Sequence, residues 1–395
     1  MTKPSLNRRQ FLKRVSLGSI GSLTATGLAS ISGLSGCTVS EIRRGITTSH
    51  ELYKGNVSQA ISAQVPGLGI PEIDGVVRKQ TTLFLNEIAK NWSDKKTASP
   101  KAYVKYTDNY QSRAIIDFNS GQIQVETIVK NNPKTALKKA LVQTLLTPED
   151  PSQVDLFSAK TPPQGAKPFL LELVRDHDKK PIRYAWRANR FADYLIKTRY
   201  KTFSDKGKIR HAVTFRMVND YQNQQKRHYQ LDVLKQSKRF NLQPALVYGI
   251  IETESGFNPY AVSSAPAYGL MQIVPSTAGR DAYRLLNKRD GTPSRNLLFT
   301  PARNIEYGSA YLSILFNRYL QGVRNAKSRE YCVIAAYNTG SGNVLEAFDS
   351  NRNQAVAKIN RLSSGQVYTH LVRNLSSTEA RNYVQKVVRN KQKYT

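Results

Sequence analysis

This chain of 395 residues is poor in cysteine, in acidic residues and in long apolar runs, and each shortage limits the kinds of structure or partner that it can have. Two cysteines, Cys37 and Cys332, are too few for a disulfide framework. Cys332 lies in an apolar run, where a small buried side chain is expected. Beyond the N-terminal segment, no stretch is apolar over the roughly 20 residues that a membrane-spanning helix needs.

The shortage of acid is the strongest compositional feature. Against 59 Lys and Arg there are 28 Asp and Glu, which gives a formal net charge of +31. Such an excess indicates a polyanion nearby without naming it, because nucleic acid, anionic lipid and an acid-rich cell-wall polymer attract cations alike. The scattered His and Asp residues show no metal-ligand spacing, so we expect no metal and no other cofactor.

The first 36 residues are typical of an export signal. Arg8 and Arg9 form a twin-arginine-like motif, although an ordinary positively charged secretory signal is an alternative. The weakly apolar segment that follows is interrupted by many Ser, Gly and Thr residues, which disfavours a membrane-spanning anchor. Leu34-Ser35-Gly36-Cys37 has the form of a lipobox, so Cys37 is predicted to be lipidated and to become the mature N-terminus.

Removal of residues 1–36 takes away five basic side chains and no acid, which leaves a charge of +26. An exported lipoprotein has little access to nucleic acid, so we expect no nucleic-acid partner. The surplus charge instead suits attraction to peptidoglycan and to anionic membrane surfaces.

The remaining chain predicts an α+β fold class with two domains after a polar, lipidated tether over residues 37–50. Residues 51–221 combine predicted helices at 73–92, 135–146 and 190–200 with β-rich segments, two of which flank the hairpin turn Asn119-Ser120-Gly121. This pattern indicates an α+β domain with an antiparallel sheet. Residues 222–395 predict an all-helical domain, with helices at 229–239, 245–254, 275–285, 305–320, 330–337, 344–348 and 380–389.

One predicted helix places a carboxyl group at the end of an apolar stripe. It begins at Pro244 and carries apolar residues and Glu254 on one face, because these follow at spacings of three and four. Gly256 can end the helix with a left-handed cap. Burial favours the protonated form of a carboxyl group, which a general acid needs. Glu252 points to another face and is not the second member of a carboxylate pair.

A glutamate at a helix end is ordinarily a solvated residue, but here three further motifs follow in order. The set resembles that of the lytic transglycosylases, lysozyme-like enzymes that cleave peptidoglycan: Glu254-Ser255, Gly269-Leu270-Met271-Gln272, Ala336-Tyr337-Asn338-Thr339-Gly340 and Glu379-Ala380-Arg381-Asn382-Tyr383-Val384. Similarity to the membrane-bound C subgroup extends over nearly all the chain after the signal. The resemblance therefore implies a lysozyme-like fold for residues 222–395 and glycan strands as the partner. We expect the mature protein on the periplasmic face of the outer membrane, because Thr38 is not the aspartate that tends to retain lipoproteins in the inner membrane.

The resemblance also implies a mechanism with one carboxyl group. Glu254 would act as acid and then as base, while the 6-hydroxyl of N-acetylmuramic acid closes a 1,6-anhydro ring. Met271 would pack the loop that carries it. Substrate-binding roles at the cleft would fall to the remaining polar members: Ser263, Gln272, Tyr337, Asn338 and Tyr383.

Two alternatives stay open, a goose-lysozyme-like hydrolase and an inactive wall-binding lipoprotein, and the intact Glu254 argues against the second. Pro266 departs from the family, which usually has glycine at this place. Because proline fixes φ and removes a donor, the loop before Gly269 is expected to bend differently.

Overall fold

The computed structural model describes residues 71–205, 207–263 and 267–395, with side chains from residue 81 onward. The predicted signal, the lipidated Cys37, the tether and Pro266 lie outside these residues. In the described part of the chain, no helix is both long and apolar enough to cross a membrane.

Residues 71–217, called the sheet region below, contain a five-stranded antiparallel sheet with the strand order β1-β2-β3-β5-β4. The strands are β1 (Ala102–Thr107), β2 (Ser112–Asp117), β3 (Gln122–Thr127), β4 (Tyr200–Asp205) and β5 (Lys208–Arg216). The helices of this region are α1 (Pro71–Asn91), α2 (Pro133–Leu145) and α3 (Ala185–Arg199), which confirm the three predicted helices.

The predicted hairpin joins β2 to β3. The Asp117 carboxylate accepts hydrogen bonds from the Asn119 N–H at 2.8 Å and the Ser120 hydroxyl at 2.7 Å, and Gly121 takes the positive φ of 68° that the turn requires. The turn sets Asp117 opposite Gln122. Apolar side chains of the sheet, α2 and α3 then form one core: Ile116, Ile123, Val125, Leu137, Leu141, Phe191, Leu195 and Val213.

A network of charges ties the end of α1 to the sheet. The Arg113 side chain is only 1% exposed; its guanidinium lies 4.0 Å from the Trp92 ring and donates to Glu126 at 2.6 Å and to Asp94 at 2.9 Å. Arg210 on β5 also bonds Asp94, at 2.6 Å. Every charge in this network has an opposite charge beside it, which is the condition for burying ions.

Two strands, β1 and β4, were not predicted. β1 is buried at nearly every residue, including Lys105, so no alternation of apolar and polar residues marks it. The Lys105 ammonium donates to the carbonyls of Asp155 at 2.7 Å and Ser158 at 2.6 Å. β4 is an edge strand with exposed residues on both faces, so it also lacks the period of two.

Residues 221–395, called the helical region below, carry the remaining helices. They are α4 (Tyr221–His228), α5 (Gln230–Phe240), α6 (Pro244–Ser255), α7 (Arg280–Asn287), α8 (Arg295–Phe299), α9 (Pro301–Ile314), α10 (Ala326–Thr339), α11 (Ser341–Glu346), α12 (Arg352–Arg361), α13 (Ser364–Asn374) and α14 (Thr378–Gln392). The seven predicted helices are confirmed, whereas α4, α8, α12 and α13 were not predicted. For α13 a signal was present, since Ser363 and Gln366 form a capping box.

The two regions share a core. Tyr260 follows α6 but packs edge-on against Tyr103 of β1, with ring centroids 5.0 Å apart, and against Phe169 at 5.2 Å. Val262 and Phe299 of the helical region belong to the same cluster. Side chains of the sheet region therefore pack against the segment that follows α6.

Candidate active site

The helix α6 delivers Glu254 to the site. Pro244 stands at its first position, and its central residues are buried all round because neighbouring elements cover every face. The helix ends at Gly256, whose φ of 59° and ψ of 30° form the predicted left-handed cap. Glu254, in the last turn of the helix, is 7% exposed.

The carboxyl group of Glu254 contacts α14. The Tyr383 hydroxyl donates a hydrogen bond to Glu254 Oε1 at 2.9 Å, and both side chains are buried. Close packing of the helices makes this contact possible, since a Cβ on Gly249 would lie 3.0 Å from the Lys391 backbone nitrogen. Glu254 and Tyr383, which are far apart in sequence, thus meet as the motif resemblance implies.

Glu252 has a different environment on the same helix. Its carboxylate accepts from the Lys393 ammonium at 2.5 Å and from the Tyr394 hydroxyl at 2.9 Å. Burial, together with the Glu252 charge, holds the pKa of Tyr394 far above its usual range. Glu252 therefore binds the end of the chain, just beyond α14, to α6.

The loop Gly269–Gln272 is organised by a residue that sequence reasoning missed. Asn304, fully buried near the start of α9, accepts from the Met271 N–H at 2.7 Å. Its amide donates to the carbonyls of Tyr268 at 2.7 Å and Leu298 at 2.8 Å. Gly269, at a φ of 73°, lies so close to Asn304 that no Cβ would fit. No local pattern in the sequence links Asn304 to this loop.

The side chains of Met271 and Gln272, both in that loop, have different surroundings. The Met271 side chain is fully buried against Gly308, where a Cβ would overlap with the sulfur. Gln272 has a positive φ of 49°, and its amide donates to the Gly269 carbonyl at 2.9 Å. Within the described residues, the buried Gln272 Oε1 has no hydrogen-bond partner.

The end of α10 closes onto the same loop. The Tyr337 hydroxyl donates to the Met271 carbonyl at 2.9 Å, and its ring lies 5.6 Å from that of Tyr311. Asn338, the next residue, is buried, and in the part of the chain that the structure describes its Oδ1 atom accepts no hydrogen bond. The motifs around Met271 and Tyr337 are therefore in direct contact.

Ser263 is half-buried in the segment that leads from α6 to the loop. Its N–H donates to the Ala267 carbonyl at 3.2 Å. Together these residues offer one buried carboxyl group, a phenol that holds it, and two buried amide oxygens able to accept from a ligand.

Comparison with known proteins matches both regions. Residues 73–229 match the family model described as the N-terminal domain of membrane-bound lytic murein transglycosylase C, and residues 233–360 match the transglycosylase SLT domain.

Three proteins illustrate the similarity. Membrane-bound lytic murein transglycosylase C of Salmonella paratyphi B is 45% identical over 307 residues, which cover 77% of this chain and 85% of the relative. The protein of the same name from Yersinia pestis is 44% identical, with coverage of 77% and 86%. A solved inactive mutant of lytic transglycosylase Slt from Pseudomonas aeruginosa is 25% identical, covers 42% of this chain and 24% of its own, and has a TM-score of 0.31. By the extent of its identity to the first two, this chain belongs to the family of membrane-bound lytic murein transglycosylase C.

Proposed function

We propose that Glu254 is the general acid, and afterwards the general base, with which this peptidoglycan lytic transglycosylase cleaves its substrate. The bond is the β-1,4 linkage between N-acetylmuramic acid and N-acetylglucosamine. The observation that supports this most is the hydrogen bond at 2.9 Å from the Tyr383 hydroxyl to the buried carboxyl group at the end of α6. This bond positions the carboxyl group at the end of α6, and a general acid has to be held in a defined place to reach the glycosidic oxygen.

The reaction needs no co-reactant. Glu254 gives its proton to the glycosidic oxygen as the bond from that oxygen to C1 of the muramic acid breaks. The resulting carboxylate takes the proton of the 6-hydroxyl, whose oxygen bonds to C1 and closes the 1,6-anhydro ring. A tethered hydroxyl has the advantage of high effective concentration over water.

The structure of α6 favours this route over hydrolysis. Glycosidases that add water normally use a second carboxylate as nucleophile or base. Glu252 is the nearest carboxylate in sequence, but Lys393 and Tyr394 occupy it.

Binding of the sugars is assigned to the surrounding polar groups. The buried oxygens Gln272 Oε1 and Asn338 Oδ1 suit the N–H of an N-acetyl group or a sugar hydroxyl. Ser263 is proposed to bond the catalytic centre or the N-acetyl group, and Tyr337 to line the cleft. Met271 supports them by packing the loop.

The experiment that tests this proposal compares Glu254→Gln with the unchanged protein on purified cell-wall sacculi. We expect the variant to fold normally and to lose a factor of about 10² to 10⁴ in rate. Glu87→Gln, the same change on α1 where Glu87 pairs with Lys90, is the control and should be neutral. Mass analysis of the products should show 1,6-anhydro ends, one water lighter than hydrolysis products and resistant to borohydride.

Lysis by Glu254→Gln at close to the normal rate would refute the assignment of the acid. Mainly reducible muramic acid ends would favour the lysozyme-like hydrolase.

The finer location is also a proposal. Relatives are named membrane-bound, and the lipobox at Cys37 supports a lipid anchor on the periplasmic face of the outer membrane. The division into two domains at residue 221 is a proposal as well; the two family matches, which meet between residues 229 and 233, support two domains with a boundary in this part of the chain. With Cys37→Ala we expect the protein in the soluble periplasmic fraction. Retention in salt-washed membranes would contradict the lipid anchor and favour an uncleaved signal.

A further inference from the structure

We propose that Lys101 of the sheet region is a positioning residue of the active site, which caps the end of α6 and strengthens Glu254 as an acid. The inference rests on the proposed role of Glu254. It assigns to the sheet region a direct part in the reaction.

Lys101 reaches the end of the catalytic helix from just before β1. Its ammonium donates to the Glu252 carbonyl at 2.5 Å, and the same carbonyl accepts the Gly256 N–H at 3.1 Å. A cation at a helix C-terminus is favourable because the last carbonyls carry partial negative charge and lack partners within the helix. Lys101 therefore adds a second, charged donor to a carbonyl in the turn that carries Glu254.

Further bonds hold the backbone around Lys101 in place. The buried Asn258 amide donates to the carbonyls of Ser99 at 3.4 Å and Pro100 at 3.2 Å, and the Phe118 N–H donates to the Lys101 carbonyl at 3.0 Å. The lysine stem also lies over Gly256, where a Cβ would meet Lys101 Cδ at 3.3 Å. Two regions of the chain are thus fastened together at the position of the acid.

The charges that face Lys101 come from α6 and from α14 with the residues just beyond it. Glu252 and Glu254 of α6 are the acids, and Lys386 of α14 and Lys393 just beyond it are the bases. Tyr383 and Tyr394 contact the two carboxyl groups as neutral phenols. Burial lowers the pKa of Lys101 to about 8, against the opposing effect of the two acids, so the side chain remains a cation near pH 7.

A fixed cation near the acid changes the chemistry in one direction. When Glu254 gives up its proton it becomes a carboxylate, and the Lys101 charge stabilises that form. The acid is then stronger, and proton donation to the glycosidic oxygen is easier. Without the cation the carboxyl group keeps its proton to a higher pH and donates it less readily.

Lys105 is a matched control in the same part of the chain. Burial also lowers its pKa to about 8, but its ammonium donates to the Asp155 and Ser158 carbonyls within the sheet region. Removal of Lys105 removes a buried, hydrogen-bonded lysine without touching α6.

The experiment measures kcat and kcat/KM against pH for the full chain with Lys101→Met, Lys101→Arg and Lys105→Met, on soluble glycan strands. For Lys101→Met we expect kcat to fall roughly threefold, because a weaker acid donates less well. The alkaline limb of the profile should move up by roughly half to one pH unit, less than for a direct ion pair. Lys101→Arg should restore both values. Lys105→Met should lower stability and leave the limb where it is.

An unmoved alkaline limb in Lys101→Met would overturn the proposal, whether activity is unchanged or reduced equally at every pH, since the second result is what a merely structural role produces. If Lys101→Met does not fold, Lys101→Gln keeps a donor without the charge and gives the same comparison. Retained activity in Glu254→Gln would overturn the assignment of the acid itself, so the two failures are distinguishable.

Discussion

Buried ionisable groups are treated differently in the sheet region and at the active site. In the sheet region, Arg113 lies between Glu126 and Asp94, so each of these groups has an opposite charge as its partner. In the helical region, Glu254 is also buried, and it accepts a hydrogen bond from the neutral hydroxyl of Tyr383. The ion pairs hold the sheet region together, whereas the phenol positions a carboxyl group that is proposed to exchange a proton with the substrate. The difference separates a structural charge from a chemical one.

The largest effect on stability should come from breaking the charge network. Arg113→Met leaves the buried Glu126 without its nearest cation, while Asp94 keeps Arg210. Loss of one partner of a buried ion pair typically costs about 3 to 5 kcal/mol. Urea unfolding measures this loss, and the kcat of the folded fraction should be unchanged. Arg280→Met is the control, because the Arg280–Asp290 pair is about half exposed and should contribute little to stability. Equal losses for the two variants would contradict the structural role given to Arg113.

An intermediate effect on stability is expected from Asn304, which is buried in the core and also holds the loop of the active site. Asn304→Ala takes the side-chain partner from the Met271 N–H and the Leu298 carbonyl, and leaves the Tyr268 carbonyl with the Ile273 N–H alone. The loss should reduce the free energy of unfolding by about 2 to 3 kcal/mol. It also frees the loop that carries Gln272, so kcat/KM should fall as well. Asn317→Ala, on the surface, should change neither quantity. A loss of stability with normal kcat/KM would show that the loop does not depend on Asn304.

The smallest effect on stability should come from the phenol at the acid. Tyr383→Phe removes the hydrogen bond to Glu254 and keeps the ring, so kcat should fall about tenfold while unfolding changes by less than about 1 kcal/mol. Tyr184→Phe, at an exposed position, is the control. If Tyr383→Phe lowered stability by several kcal/mol with unchanged kcat, the pair would be structural like Arg113 and its acids.

Local signals were enough to predict the hairpin and the catalytic helix. Asn119-Ser120-Gly121 marks its turn by residue type, and Pro244 and Gly256 mark the two ends of α6. The prediction missed strand β1 for a physical reason. β1 is buried on both faces and contains a lysine, so its sequence shows no alternation of apolar and polar residues. Lys105 is tolerated there because two backbone carbonyls accept its protons.

Part of the site could not be predicted because its contacts are distant in sequence. The motifs point to Glu254, Met271 and Tyr337 through residue type and order. Asn304 and Lys101 act on backbone atoms, and no side-chain pattern records which carbonyl they reach. Their roles exist only once the chain has brought the segments together.

The separation of these contacts along the chain also governs when the enzyme becomes competent during folding. Tyr383 lies 129 residues from Glu254, and Lys101 lies 151 residues from Glu252. Helices form through local contacts and fold fast, whereas closure of such long loops is slower and bears an entropic cost. A partly folded chain therefore holds α6 with its acid but without the phenol and the cation. In refolding, the helical circular dichroism signal should return before lytic activity. The enzyme therefore begins to degrade the cell wall only after both of its regions have assembled.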